Sequence, residues 1–517
     1  MKNHKLAIGM LALAICVVAL PAMAQRTTTG IDCSQIAAQH LLQQDNMRAG
    51  LTLIECGIYK PNKPVVADED YPQPPNVLVS NRSCGSYTSC TKSENMVDAN
   101  GLTVVVAYND HDSSQSNTYG GVSYSTDGGV SFTEIEPNPV ATGHSQNYGD
   151  PIVVYNRKLG KWFTGDLVTG CGGQGIGLWT SPDGIHWSVG ACAHNGSSDD
   201  RESFWVDNDP TSAGYGRMYI SWNDFAFNQD LSVTYSDDGV TWVAPIRISN
   251  GFIRDVQVTG AQISPTTAKA VLNGYNTVFV ASMNEGGGGL ANRTNVMYRS
   301  TNGGTTWTSF NMGGSFQPVG DGTCPSNSYF AKINPIWRHM GWGEPAVGPN
   351  NVVHYVYAGH GQGSDNGDIF YVRSTDNGAT WSAPLLLNTD TPGQQYHTQW
   401  MPNLSVNPAG KVTASWYDRR NVSSSCVNAT DAGCFYWRYG RQSADNGVTW
   451  DASDSPISTT VINQPEQADS GVQPCYAGDY DYARAQGTSA YVTWTDGRRN
   501  VSGHYVQDVN LAVVPEE

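Results

Sequence analysis

The chain has 517 residues and a formal net charge of −17 at pH 7, with 46 acidic against 29 basic side chains. That balance argues against nucleic acid and anionic membrane surfaces as partners. A polyanionic glycan would need a local cluster of arginines to overcome the overall field.

From Met1 to Ala24 the chain carries Lys2 and Lys5, an apolar run from Leu6 to Leu20, and Ala22-Met23-Ala24. This reads as a signal peptide (1–24) with an A-x-A cleavage site before Gln25, so export to the periplasm or the extracellular space is expected. No later run is long and apolar enough to span a bilayer. Of eleven cysteines, Cys16 falls in the leader, and an even number in an exported chain points to disulfides. Spacing suggests Cys33–Cys56, Cys84–Cys90, Cys171–Cys192 and Cys426–Cys434, which leaves Cys324 and Cys475 to pair over a long range. No C-x-x-C with H-x-x-x-H cluster supports zinc instead.

Residues 31–49 read as a short amphipathic helix ended by Gly50, tied back through Cys33 and Cys56. Lys60 to Asn76 is rich in proline and acid and reads as an extended linker. The stretch 25–76 is therefore a small helical cap plus linker, too small for a core of its own, and no chemistry is expected from it.

From residue 77 to 517 the chain repeats. Ser374 to Trp381 (STDNGATW) is the clearest copy of a turn unit, S-x-D-x-G-x-x-W. Ser125 to Phe132, Ser300 to Trp307 and Ser443 to Trp450 keep its spacing, and Ser181 to Trp187 and Ser236 to Trp242 are one residue shorter. Its chemistry is that of a hairpin turn: Asp or Asn folds back onto backbone N–H groups and Gly accepts positive φ. Alternating stretches such as Gly216–Trp222, Val352–Tyr357 and Lys411–Trp416 fit half-buried strands. A last segment, Ala477 to Val514, repeats the strands without a turn unit, and its missing fourth strand is expected from residues 77–82. The fold class is all-β, a β-propeller of seven four-stranded blades, with six as the alternative.

The repeats share a register. Glu94, Asp150, Glu202, Asp255, Glu344, Gln399 and Asp479 open the first strands. Asp110, Asp166, Asp224, Glu285, His360, Asp418 and Asp496 close the second strands. In an antiparallel blade these two positions lie at one rim, and the turn units lie at the other. The carboxylate-rich rim near the axis is where a ligand site is expected.

The turn units resemble the Asp boxes, or bacterial neuraminidase repeats, of the sialidase superfamily, and they cover nearly everything from residue 77 onward. The resemblance implies a β-propeller and, for activity, glycoside hydrolysis of the sialidase kind, including exo-α-sialidase. Such enzymes use three arginines on the substrate carboxylate, a tyrosine nucleophile helped by a glutamate, and an aspartate acid/base. No Phe-Arg-Ile-Pro motif precedes the first unit here. The box also occurs in receptors and assembly factors, so fold does not fix function.

Asp150 (YGDP) and Glu344 (WGEP), each before a proline, are the candidate catalytic carboxyls, and Tyr480 in GDYDY is the candidate nucleophile. Trp342 and Trp400 are candidate sugar platforms. Arg254, Arg419 and Arg498 could form an arginine triad, with Asp418 and Asp496 beside them in the D-R-R and D-G-R-R motifs. Those motifs read equally as structural Asp–Arg forks between blades. No cofactor is required by this reading. A structural Ca²⁺ among the axial carboxylates is compatible with it. Three functions stay open: an exported glycoside hydrolase, a non-catalytic propeller that binds a glycan or a protein, and a polysaccharide lyase. A monomer acting on a glycan or glycoconjugate is expected.

Overall fold

The computed structural model describes residues 33–58, 76–80, 84, 86–112, 117–261, 274–333, 337–394, 396–422, 426 and 434–516. The signal peptide (1–24) and the linker expected from Lys60, apart from Asn76, lie outside the described residues.

Seven antiparallel sheets follow one another along the chain. Their innermost strands are Cys90–Asn100, Ile152–Asn156, Asp199–Val206, Arg254–Gly260, Glu344–Val347, Gln399–Val406 and Ala483–Gln486. Each of these strands packs against its successor, and the last packs against the first, so they surround a common axis. Six sheets take their strands in chain order, with a further short strand, Ile462–Asn463, beside the sixth. The seventh borrows its outer strand from the front of the chain: Val77 pairs with Leu511 and Leu78 with Asn510. The outer strand expected from residues 77–82 is therefore present, as Val77–Leu78.

The core lies between the sheets. Trp162, Trp179, Trp222, Trp337, Trp400, Trp416 and Trp494 are among the largest fully buried side chains. Strands such as Val353–Gly359 are buried along their whole length, because both faces of each sheet are covered by neighbours. That explains why strict alternation is visible only in some of them.

The turn units join the third and fourth strands, away from the axial ends of the first two. In the clearest copy Ser374 Oγ donates to Asp376 (2.7 Å), while Gly378 N donates to Ser374 Oγ (2.8 Å) and Thr380 N to Asp376 (2.8 Å). Gly378 has φ +79°, and a Cβ there would lie 2.9 Å from Phe279 in the preceding sheet. The unit therefore ties its own hairpin together and also seats it on the next sheet.

Two elements depart from expectation. The helix runs Met47–Glu55 rather than 31–49, because Asn46 is its N-cap and accepts from Ala49 N at 2.9 Å. Gly50, expected to end the helix, lies inside it. There it lets the helix approach the Gln473 side chain, which a Cβ would meet at 3.3 Å. Between the fourth and fifth sheets, a three-stranded sheet, Gly322–Cys324, Asn327–Ile333 and Trp337–Arg338, is inserted. All five expected cysteine pairs are bonded, and Cys324–Cys475 ties that insertion to the chain just before the seventh inner strand.

Candidate functional site

The inner strands open with an irregularity. Four of them carry one residue more than the facing strand, between Ser93 and Asn95, Asp200 and Ser203, Arg254 and Gln257, and Trp400 and Asn403. At these breaks Glu94, Arg201, Asp255 and Met401 have φ between +48° and +56°, and Asp150 has φ +59°. Positive φ at non-glycine residues is held only where surrounding structure fixes it, and bulges re-aim side chains. Here they turn charged groups toward the axis. Glu94 and Asp255 sit at the expected positions, whereas the third sheet's bulge holds Arg201, one before Glu202, and the sixth's holds Met401, two beyond Gln399.

As the register implied, the start of each inner strand lies beside the end of the second: Lys92 pairs with Asp110, Asp199 with Asp224 and Gln399 with Asp418. One part of this rim holds a cluster of charge. Arg201, Arg254 and Arg338 are at most 1 % exposed, and Glu94, Asp150, Asp200, Asp255 and Asp479 at most 3 %. Arg338 makes a two-point bond to Asp479, with Nε at 2.9 Å. Arg201 reaches Asp255 at 3.2 Å. Glu94 accepts from Asn109 Nδ2 (2.5 Å) and Asp479 N (2.8 Å), and Asp150 accepts from Arg201 N (3.1 Å). Trp342 lies under both Arg201 (5.5 Å) and Arg254 (5.2 Å) and donates its indole N–H to Glu285 at 2.7 Å.

Tyr480 sits inside this cluster, with the Arg201 guanidinium 3.6 Å from its ring centroid. Its hydroxyl is buried and has no hydrogen-bond partner among the described residues; the same holds for Asp150 Oδ1, Arg201 Nε, Arg254 Nε and Nη1, and Arg338 Nη1. Such groups are costly, about 1–3 kcal/mol each. Burial and then the charge of Asp45 push Asp150 up to about 8. Burial, with Asp479 and Asp150 close by, pushes Glu94 well above the usual carboxylate range. Burial, with Asp150 and Glu94 beside it, likewise raises Tyr480. Burial works against the charge of the three arginines, yet the neighbouring carboxylates, Asp45 among them in each case, hold all three above the ordinary guanidinium value.

Asp45 belongs to the N-terminal segment, from which no chemistry was expected. Its carboxylate lies 3.1 Å from Arg254, and its carbonyl accepts from Arg338 Nη2 at 2.9 Å. Its own N–H and that of Asn46 both donate to Asp200 at 3.2 Å. Nothing local in the sequence marks Asp45, since Asp200, Arg254 and Arg338 are all more than 150 positions away.

The remaining candidates are placed apart from this cluster. Glu344 accepts from Leu404 N (3.0 Å) and Ala483 N (3.4 Å), and its charged neighbours are Arg438 and Asp481 rather than those of Asp150. Trp400 is fully buried against Trp337, Tyr417 and Tyr436. Arg419 stacks 5.0 Å from Trp400 and donates to Gln464 at 2.6 Å. Asp418 is gripped by Arg420 (2.6 Å) and Asp496 by Arg498 (2.5 Å) two residues on, so both motifs are forks within one strand end, not between blades. Of the expected triad, Arg254 alone joins the cluster; Arg201 and Arg338 sit with it.

One carboxylate oxygen each from Asp45, Asp150 and Asp200 lie within 4.8 Å of one another, a donor set suited to a hard divalent cation. Arg254 competes for two of these carboxylates, at 3.1 and 3.2 Å. The His144, Cys171 and Cys192 group offers no thiolate, because the two cysteines are bonded to each other.

A cavity beside Glu344 and Tyr482, lined by none of the clustered charges, measures about 40 Å³, against roughly 300–1,000 Å³ for ligand pockets generally. Larger cavities of about 640 and 850 Å³ lie on outer seams between sheets, near Ile457 and Val513 and near Trp179 and Trp187.

No protein-family model matches this sequence, and no curated protein sequence does. Solved structures do resemble it. A polysaccharide lyase acting as an ulvan lyase aligns at 10 % identity and TM-score 0.45 over 84 % of this chain and 96 % of its own. A lectin from Burkholderia pseudomallei aligns at 12 % identity and TM-score 0.44 over 83 % of this chain and 97 % of its own. A Hadza microbial sialidase aligns at 14 % identity and TM-score 0.38 over 72 % of this chain and 66 % of its own. At these values the likeness selects none of the three activities.

Proposed function

We propose that the seven sheets are the blades of a seven-bladed Asp-box propeller, and that the protein is an exported, sialidase-like glycoside hydrolase working at the axial cluster. The observation that carries this reading is Tyr480: a buried hydroxyl without a partner among the described residues, beside Asp150 and Glu94 and against Arg201 at 3.6 Å. In the proposed step Tyr480 Oη bonds to the anomeric carbon and passes its proton to Glu94. Asp150 gives its proton to the leaving glycosidic oxygen. Water then attacks the anomeric carbon with Asp150 as base, the bond to Tyr480 Oη breaks, and the phenolate takes its proton back from Glu94. Arg201, Arg254 and Arg338 face the sugar carboxylate, in place of the triad with Arg419 and Arg498. A neutral nucleophile suits an anionic sugar, which a carboxylate would repel. Five disulfides fit an oxidising compartment.

The test is turnover of a sialoside, neutral aryl-glycosides and uronate polymers by purified protein. Tyr480→Phe and Asp150→Asn are each expected to lower the rate on the accepted substrate by roughly 10²-fold or more. Activity that survives Asp150→Asn and Glu344→Gln alike removes both carboxyls from the mechanism.

One observation favours a non-catalytic reading: the cluster is at most 4 % exposed, Tyr480 and Trp342 included. A propeller that binds a glycan or protein elsewhere needs these charges only as an internal brace. Binding on a glycan array without turnover of any of the three substrate classes supports that alternative.

A further inference from the structure

Residues 41–50 lie across the axial cluster, with Leu42, Gln43 and Arg48 partly exposed and the other seven buried. Gln44, Asp45 and Asn46 are at most 2 % exposed. The contact is made of polar groups on both sides. Gln44 Nε2 donates to Ser198 Oγ (2.7 Å), Asn46 Nδ2 to Asp200 (2.5 Å), and Arg48 Nη1 to the Gly173 carbonyl (2.7 Å). Met47 adds an apolar anchor in the core group that contains Tyr480 and Tyr148. At the centre, the Asp45 carboxylate faces Arg254 directly and bears electrostatically on Arg201 and Arg338.

Two features bear on how permanent this contact is. Asp45 Oδ1 and the adjoining Arg254 Nε and Nη1, Arg338 Nη1, Asp150 Oδ1 and Tyr480 Oη have no hydrogen-bond partners among the described residues. A buried polar interface that satisfies only some of its members is a poor permanent core. The segment also belongs to a unit with its own covalent closure, Cys33–Cys56. It can therefore leave the ring as a piece without opening a disulfide.

We infer that residues 41–50 are an internal ligand of the axial site, with the Asp45 carboxylate standing where the carboxylate of an acidic sugar binds, so that sugar and segment exclude each other. The inference rests on the axial site proposed above. It supplies what that proposal lacks, a route by which a cluster with almost no exposed surface receives a substrate. With the segment seated, the binding-competent fraction is small, and apparent affinity falls by that fraction.

The test uses the full chain as wild type, Asp45→Ala and Gln44→Ala, with sialic acid and glucuronate as calorimetric probes and galactose as the neutral control. Amide exchange of residues 41–56 is followed in parallel. Both variants are expected to bind one of the acids roughly tenfold or more tightly than wild type, with faster exchange in the segment and no gain for galactose. If Asp45→Ala does not fold, Gln44→Ala, which touches none of the arginines, supplies the same readouts. Faster exchange without any gain in acid binding overturns the inference, as does unchanged exchange in both variants, or tight acid binding by wild type with its segment still protected. A gain in acid binding with no glycoside cleaved upholds the internal ligand and sinks the hydrolase reading. Equal turnover by wild type and Asp45→Ala does the reverse.

Discussion

The Asp45 carboxylate and the Arg254 guanidinium meet at 3.1 Å with neither side chain reachable by solvent, and Asp200 stands 3.2 Å from the same guanidinium. Removing one member of a buried ion group leaves the others uncompensated, at about 3–5 kcal/mol. Arg254→Met is expected to lose stability on that scale in urea unfolding. Asp45→Asn combined with Arg254→Met is expected to lose less than the two single losses together, because the partners share one interaction. Additive losses would mean that the pair is not coupled.

Stability is expected to fall as pH rises from about 4 to 8. Burial holds Asp150 up to about 8, Asp365 up to about 8 and Asp255 up to about 7. Between the ordinary carboxylate value and these raised values the folded chain binds more protons than the unfolded one, so each unit of pH upward favours unfolding. Thermal melts across this range check the trend, and Asp150→Asn should flatten part of it. A melting temperature that climbs steadily from pH 4 to pH 8 contradicts the assignment.

The turn units give a separate prediction. Gly378→Ala places a Cβ 2.9 Å from Phe279 at φ +79°, whereas Gly487→Ala, at φ +61°, meets nothing within 4 Å. Both suffer the left-handed backbone penalty of about 1–2 kcal/mol, and only the first also disturbs a neighbouring sheet. Gly378→Ala should therefore be the more damaging in denaturant unfolding. Equal losses would mean that the unit does not brace the sheets against each other.

The cysteine pairs are expected to rank by the loop they close. Cys324–Cys475 spans 151 residues and Cys426–Cys434 spans 8. Chain-entropy reasoning gives about 5 against about 2.5 kcal/mol on replacing each pair by serine. Unfolding of the two double variants checks the order. The larger loss should also loosen the Arg338–Asp479 contact, because Arg338 N bonds the Cys475 carbonyl at 2.7 Å.

The parts of the molecule that were legible from sequence are those whose signals are local or periodic. Ser374, Asp376 and Gly378 are close enough in sequence to reveal a turn, and the repeat of that turn gives the order of the sheets that carry it. The cysteine partners followed from spacing, and the seventh sheet's debt to residues 77–82 followed from a missing strand. The site was legible only in part. Asp150, a register position, and Tyr480 and Arg254, each beside one, lie in the buried charge cluster, but a bulge adds a residue without altering the pattern, so Arg201 was passed over for Glu202. Arg419 and Arg498 drew notice as repeated motifs, and the repetition reflects a fork that each strand end needs. Asp45 carries no local signal, since its meaning comes from Arg254 and Asp200.

The pairing of Val77–Leu78 with the C-terminal strand has a topological consequence. The strand that fastens the circle lies downstream of Cys56, so a single backbone cut between residues 58 and 76 would sever residues 33–58 and leave the fastening intact. After such a cut residues 33–58 would be held to the circle by non-covalent contacts alone, Asp45 to Arg254 and Gln44 to Ser198 among them.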